Sequence, residues 1–88
     1  MDLSKGDCRE ILNALSSKAT GFRYNQVAKW LARADFEPPA KGSGSHRVWY
    51  HSPSGRRVPM VDKGRGEILP VYVKRAARAI IDLGGCTE

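Results

Sequence analysis

The stretch His46-Arg47-Val48-Trp49-Tyr50-His51-Ser52-Pro53-Ser54-Gly55-Arg56-Arg57-Val58-Pro59-Met60-Val61 decides how this chain is read. Val48, Trp49 and Tyr50 in succession suit a pleated surface, which makes His46 to Ser52 the best strand in the sequence. Pro53-Ser54-Gly55 carries turn chemistry. Arg56 to Val61 returns as a second strand, so the two make a hairpin. Pro59 has no N–H to give to a ladder, which favours an edge or a bulge. Adjacent strand residues point to opposite faces. At least one of Trp49 and Tyr50 therefore enters the core, and alternation leaves open which. The same rule sets His51 on the face opposite His46.

Helices flank this hairpin. Residues 7–18 read as one, with Asp7 as N-cap and Glu10 as its capping-box partner. Ile11, Leu12 and Leu15 fall on one side, and Thr20-Gly21 should end it. A second helix covers about 24–35, where Val27, Leu31 and Ala34 share a face flanked by Ala28 and Trp30. Trp30 reads as core, with base stacking the lesser alternative. Pro38-Pro39 limits any strand over 36–40 to a short edge. Lys41 to Ser45 is a loop by composition, Gly42-Ser43 included. Residues 62–69 form a polar, glycine-containing loop. Pro70 opens a final helix over 70–83 with Val73, Ala76, Ala77, Ile80 and Ile81 inward and Lys74, Arg75 and Arg78 outward. Gly84-Gly85 closes it. Strands grouped between helices predict an α+β fold, a small antiparallel sheet with helices on one face and the other face partly open.

The chain has 88 residues and a formal charge of +6. That length makes one domain, burying about 60–65% of its unfolded surface. Residues 1–20 carry no net charge, whereas residues 41–65 hold six cations against Asp62 alone. A charge run by itself is most often a solvated basic face; nucleic acid is the leading specific alternative. The two cysteines, Cys8 and Cys86, show no C-x-x-C spacing. They are expected as free thiols of a reducing cytosol, with a terminal staple as the alternative. Without a signal-peptide core or a membrane-length apolar run, the protein is expected to be soluble and cytoplasmic.

His46 is the first chemical candidate. An imidazole titrates near neutral pH and can take and return a proton in one turnover. RNA cleavage without a metal needs a base for the ribose 2′-hydroxyl, an acid for the leaving oxygen and positive charge on the phosphate. His46 can serve as base or acid. Lys41, Arg47, Arg56 and Arg57 can stabilise the developing charge. Gly44 and Ser45 can bring backbone N–H groups close to a phosphate. On spacing alone, a histidine at a strand start is more often a hydrogen-bonded structural residue. His51 is the weaker candidate. The carboxylates are scattered, and neither H-x-x-x-H, a Walker loop nor G-x-S-x-G occurs, so no metal or cofactor is expected.

Four runs then resemble the HicA family of prokaryotic toxins. They are Val27-x-x-Trp30-Leu31 followed by Asp35-Phe36-Glu37; Gly44-Ser45-His46-Arg47-Val48-Trp49; Gly55-Arg56-Arg57-Val58-Pro59; and Leu69-Pro70-Val71-Tyr72-Val73-Lys74. They lie in the family's order and span about two-thirds of the chain. The resemblance implies a fold like a double-stranded-RNA-binding domain, with a three-stranded antiparallel sheet and an extra N-terminal helix. Residues 1–20 would be that extension, 21–84 the HicA-like domain and 85–88 a tail. It implies endoribonuclease activity on mRNA with His46 as the catalytic residue, and a HicB-type antitoxin as partner. The phosphate-contacting candidates are Lys41, Gly44, Ser45, Arg47, Arg56, Arg57 and Lys74. A non-catalytic RNA- or DNA-binding module on the same scaffold is the alternative. The family pattern is broken by Pro38-Pro39, by a Phe36–His46 segment about one residue longer than usual, and by Met60-Val61-Asp62 after Val58-Pro59.

Overall fold

The computed structural model describes residues 1–41, 44–62 and 65–86. Gly42 and Ser43, read above as loop, lie outside the described residues, as do Lys63, Gly64, Thr87 and Glu88. The elements run α1 (Lys5–Ser16), α2 (Tyr24–Arg33), β1 (His46–His51), β2 (Arg56–Val61) and α3 (Pro70–Asp82), an α+β fold. β1 and β2 pair antiparallel, with His46 opposite Val61 and His51 opposite Arg56. Ser54 organises the turn between them. Its hydroxyl accepts from Arg56 N at 3.1 Å and lies 2.7 Å from His51 Nδ1.

Trp49 is the aromatic that enters the core, and Tyr50 stays half-exposed. Alternation then sends Arg47 and His51 toward the helices and His46, Val48 and Tyr50 toward the open face. On β2, Val58 and Met60 are buried while Arg57 and Pro59 are exposed.

The described sheet has two strands, not the three expected. The third position is held by a single bridge in which Glu37 N donates to Tyr50 O (2.6 Å) and Tyr50 N to Glu37 O (3.1 Å). Continuing that register would set Pro39 against Val48. Proline has no N–H to donate, so the ladder stops after one rung.

Helix α1 begins earlier than expected. Ser4 is its N-cap: Ser4 Oγ accepts from Asp7 N, and Asp7 Oδ2 accepts from Ser4 N, both at 3.0 Å. Asp7 is thus the acidic partner of the capping box, not the cap. Glu10 instead accepts from Trp30 Nε1 at 2.9 Å. The local Ser4-x-x-Asp7 box sets the start of the helix, and α2 adds to it, with Arg33 reaching Asp7 at 2.8 Å and Lys29 at 3.6 Å. The helix ends at Ser16, short of Thr20-Gly21. Helix α2 closes with Phe36 N on Leu31 O (3.0 Å) and Asp35 N on Ala32 O (3.2 Å), Asp35 taking φ 68°. This Schellman turn aims the chain at the Glu37 bridge.

Helix α3 starts at Pro70 and closes the same way, with Gly85 N on Ile80 O and Gly84 N on Ile81 O, both 2.9 Å. Gly84 supplies the positive φ of 82°. Gly85 supplies close approach, since a Cβ there would sit 2.6 Å from Ile80 Cγ2 and 2.9 Å from Leu3 Cδ1. α1 and α3 pack together, and α3 also packs on β2. Trp30, Ile11, Leu31, Met60 and Ile80 are fully buried in one core. The N-terminal helix therefore contributes to the same core as the rest of the chain.

Cys8 and Cys86 form a disulfide across a sequence separation of 78, with Cα atoms 5.6 Å apart. This corrects the expectation of free thiols. The packing of α1 on α3 and the tight turn at Gly85 bring the two ends within bridging distance. A loop of this length stabilises by about 4.5 kcal/mol in the chain-entropy account. Denaturant unfolding of the oxidised protein and of the Cys8→Ser/Cys86→Ser variant should differ by a few kcal/mol, and dithiothreitol should abolish the difference. Identical curves would mean that the bridge constrains nothing.

Asp7 is 2% exposed. Burial alone would raise its pKa. The hydrogen bond from Arg33 opposes this, with Ser4 contributing through backbone and side chain and Arg33 also through its charge, and the carboxyl ends below its ordinary 3.8. A depressed pKa means stability present above the ordinary value and lost as pH falls through the folded one. Asp7→Asn should cost about 2 kcal/mol near neutral pH. In urea unfolding this gap from wild type should close progressively below about pH 4.

Candidate functional site

Two basic regions emerge, at opposite ends of the hairpin. The first surrounds the head of β1. Lys41, Gly44 and Arg47 line a shallow hollow with Pro38, Trp49 and Tyr24. Gly44 sits at φ 70°, a left-handed conformation that glycine adopts without strain. Just beyond it, Ser45 and His46 are exposed. Ser45 O accepts from Asp62 N at 3.0 Å, which ties the start of β1 to the end of β2.

Arg47 is the organiser of this end. Its Nε donates to Gly44 O at 3.0 Å. One Nη lies 3.5 Å from Asp62 Oδ2. Its guanidinium stacks over the Tyr24 ring, 4.9 Å from the centroid. A guanidinium carries five N–H groups, and these contacts engage two of them. Tyr24 in turn accepts from Trp49 Nε1 at 3.1 Å. Tyr24 was read from sequence as the start of α2; its place under Arg47 was not foreseen, because it depends on how α2 crosses the hairpin.

The two histidines are separated in role. His46 is exposed at the head of β1 on the open face of the sheet. His51 is 7% exposed, bonded to Ser54 and packed against Phe36 at a ring separation of 5.2 Å. His51 thus holds the turn and does not share a face with His46.

The second region lies at the other end. Arg57 pairs with Tyr50, four residues from His46, or about 14 Å along the strand. Arg56 and Arg57 join Lys74, Arg75 and Arg78 along a groove between β2 and α3. Of the candidate phosphate contacts, the structure brings Lys41, Gly44, Ser45 and Arg47 to the His46 end, leaves Arg56 and Arg57 at the far one, and places Lys74 in the groove between β2 and α3. Arg75 and Arg78 were legible in sequence only as exposed decoration of α3. Among the described residues, no group of three His, Cys, Asp or Glu side chains could hold a metal ion. No helix among them is long and apolar enough to cross a membrane.

Comparison with protein-family models, curated proteins and solved structures gives no match.

The division between the histidines has a measurable consequence. His46→Ala should change unfolding free energy by less than about 0.5 kcal/mol, as for an exposed side chain. His51→Ala should cost about 2 kcal/mol, through lost packing and a stranded Ser54 bond. Equal costs in thermal or urea unfolding would contradict the assignment.

Proposed function

We propose that this protein is a HicA-like endoribonuclease that cuts mRNA at the exposed head of β1. The observation that carries the reading is the exposure of His46 beside a basic, glycine-turned loop, while the other histidine is buried in a structural bond. His46 acts as general acid or base on the ribose 2′-hydroxyl or the leaving 5′-oxygen. Lys41 supplies positive charge, and Gly44 and Ser45 allow close backbone approach to the phosphate. Arg47 combines charge with the task of holding the Gly44 carbonyl and Asp62 in place. Arg56 and Arg57, at the turn end of the hairpin, are too distant to touch the same phosphate.

The attacking group is the substrate's own 2′-hydroxyl, so the products are a 2′,3′-cyclic phosphate and a 5′-hydroxyl, and no metal is required for the nucleophile. The likeness to a double-stranded-RNA-binding domain belongs to this reading, with the Glu37 bridge standing where a third strand would run. So do a cytoplasmic site of action and a HicB-type antitoxin that covers the His46 end.

Purified protein incubated with single-stranded RNA and chelator should yield 2′,3′-cyclic phosphate ends. His46→Ala should slow cleavage by about a hundredfold or more, the scale of general acid–base catalysis. A variant that cuts at the wild-type rate would sink the reading. Wild-type protein that binds RNA in a salt-dependent manner and never cuts it would reduce the site to a binding module.

A further inference from the structure

The groove between β2 and α3 is built differently from the His46 end. Its volume is about 400 Å3. Four apolar residues line it, Leu15, Val58, Pro59 and Val71, together with the five cations Arg56, Arg57, Lys74, Arg75 and Arg78. No carboxylate is among them. Beyond Leu15 and Arg78, which it shares, a second hollow over α1 adds Leu12 and the polar Asn13 and Ser16. Val71 is 48% exposed, so an aliphatic side chain lies open beside the charges.

The cations are held in place without all being cancelled. Arg75 stacks over Tyr72 at 5.8 Å on α3, and Arg57 stacks over Tyr50 at 5.3 Å on the open face of the sheet, so that it reaches the groove only at its rim. A tyrosine ring orients a guanidinium but leaves its charge intact. Arg56 is held by Asp82 at 3.2 Å. Helix α3 has no acidic residue in its first turn and places Lys74 directly after it, so nothing there offsets the positive end of the helix.

We infer that this groove docks an acidic protein segment bearing aliphatic side chains, at a surface separate from the His46 site. Charge complementarity selects an anion. The aliphatic lining then selects among anions. A polynucleotide backbone is charged and offers little aliphatic surface to bury, and its bases stack on aromatic rings or guanidinium planes, so it would leave the Leu15, Val58, Pro59 and Val71 lining unmatched. None of the described residues lining this groove is aromatic, and the adjacent Tyr50 and Tyr72 rings are each stacked under an arginine. A segment of Asp or Glu with Leu, Ile or Val satisfies both halves of the lining. β2 also offers it backbone groups. Strand alternation turns the Arg57, Pro59 and Val61 peptides away from β1, and no strand among the described residues pairs with that edge. Three carbonyls can accept there, while Pro59 withholds one donor and shortens the match. The inference stands whether or not His46 is catalytic.

The test selects displayed random peptides of about twelve residues on immobilised wild-type protein. The enriched sequences should combine acidic with aliphatic residues. A synthetic peptide of that sequence should bind wild type at least about tenfold more tightly than Val71→Asp and than Arg75→Glu/Arg78→Glu. All three sites are on the surface side of α3, and circular dichroism melts should show both variants folded. A twelve-nucleotide oligouridine should not displace the peptide. Absence of enrichment, enriched sequences lacking either residue class, or affinity unchanged in both variants would overturn the inference. Displacement by oligouridine would do so too and would assign the groove to a polynucleotide. RNA cleavage by His46→Ala is a separate readout, so the failure of one proposal is not read as failure of the other.

Discussion

Burial of Trp49 is the constraint on which the working end of this protein depends. An indole N–H cannot enter a core without an acceptor, and Tyr24 Oη provides one at 3.1 Å. Once Trp49 points inward, the period of the strand assigns every other residue of β1 a side. Arg47 must lie inward, where it stacks on the same Tyr24 ring and grips the loop before it. His51 must lie inward, where Ser54 and Phe36 enclose it. His46 must lie outward. One aromatic contact between α2 and β1 thereby separates a histidine that holds structure from one that meets solvent.

The prolines set the size of the sheet. Pro39 ends the bridge begun by Glu37, and Pro59 removes a donor from the outer edge of β2. What remains is a hairpin, and isolated hairpins are marginal in water. Its inward face is covered by helices: α3 packs on β2, and α2 supplies Tyr24 to Trp49. Because β2 is an edge, the crease where α3 meets it stays open as a cation-rimmed groove. Pro59, which spares that edge from indiscriminate strand pairing, leaves a partly available row of carbonyls there.

A chain this short also has to secure its ends. Asp7 joins the capping box of α1 to two cations of α2, and it does so while almost fully buried. Cys8 then ties α1 to the turn after α3. Both devices act on the N-terminal helix, whose Ile11 and Ala14 belong to the common core. The helix first read as an extension is thus held by a charge network on one side and a covalent bond on the other.

Much of the fold was legible in the chain because its signals are local. The hairpin bounds follow from a β-branched and aromatic run on either side of a Pro-Ser-Gly turn. The core face of α2 follows from helical spacing, and the ends of α3 follow from Pro70 and Gly84-Gly85. Each depends on residues a few positions apart, which is the range that periodicity and capping describe. The Ser4 cap is local as well, a Ser4-x-x-Asp7 box that reading Asp7 as the cap passes over. Three things were decided only by tertiary structure: the choice of Trp49 over Tyr50, the pairing of Cys8 with Cys86, and the split of the basic residues between two ends of the hairpin. Each needed a partner far away in sequence: Tyr24 for Trp49, the Gly85 turn for Cys8, and α3 for Arg56 and Arg57. A repeat of 2 or 3.6 residues says which side chains share a face. It carries no information about which distant element will cover that face, and packing settles that.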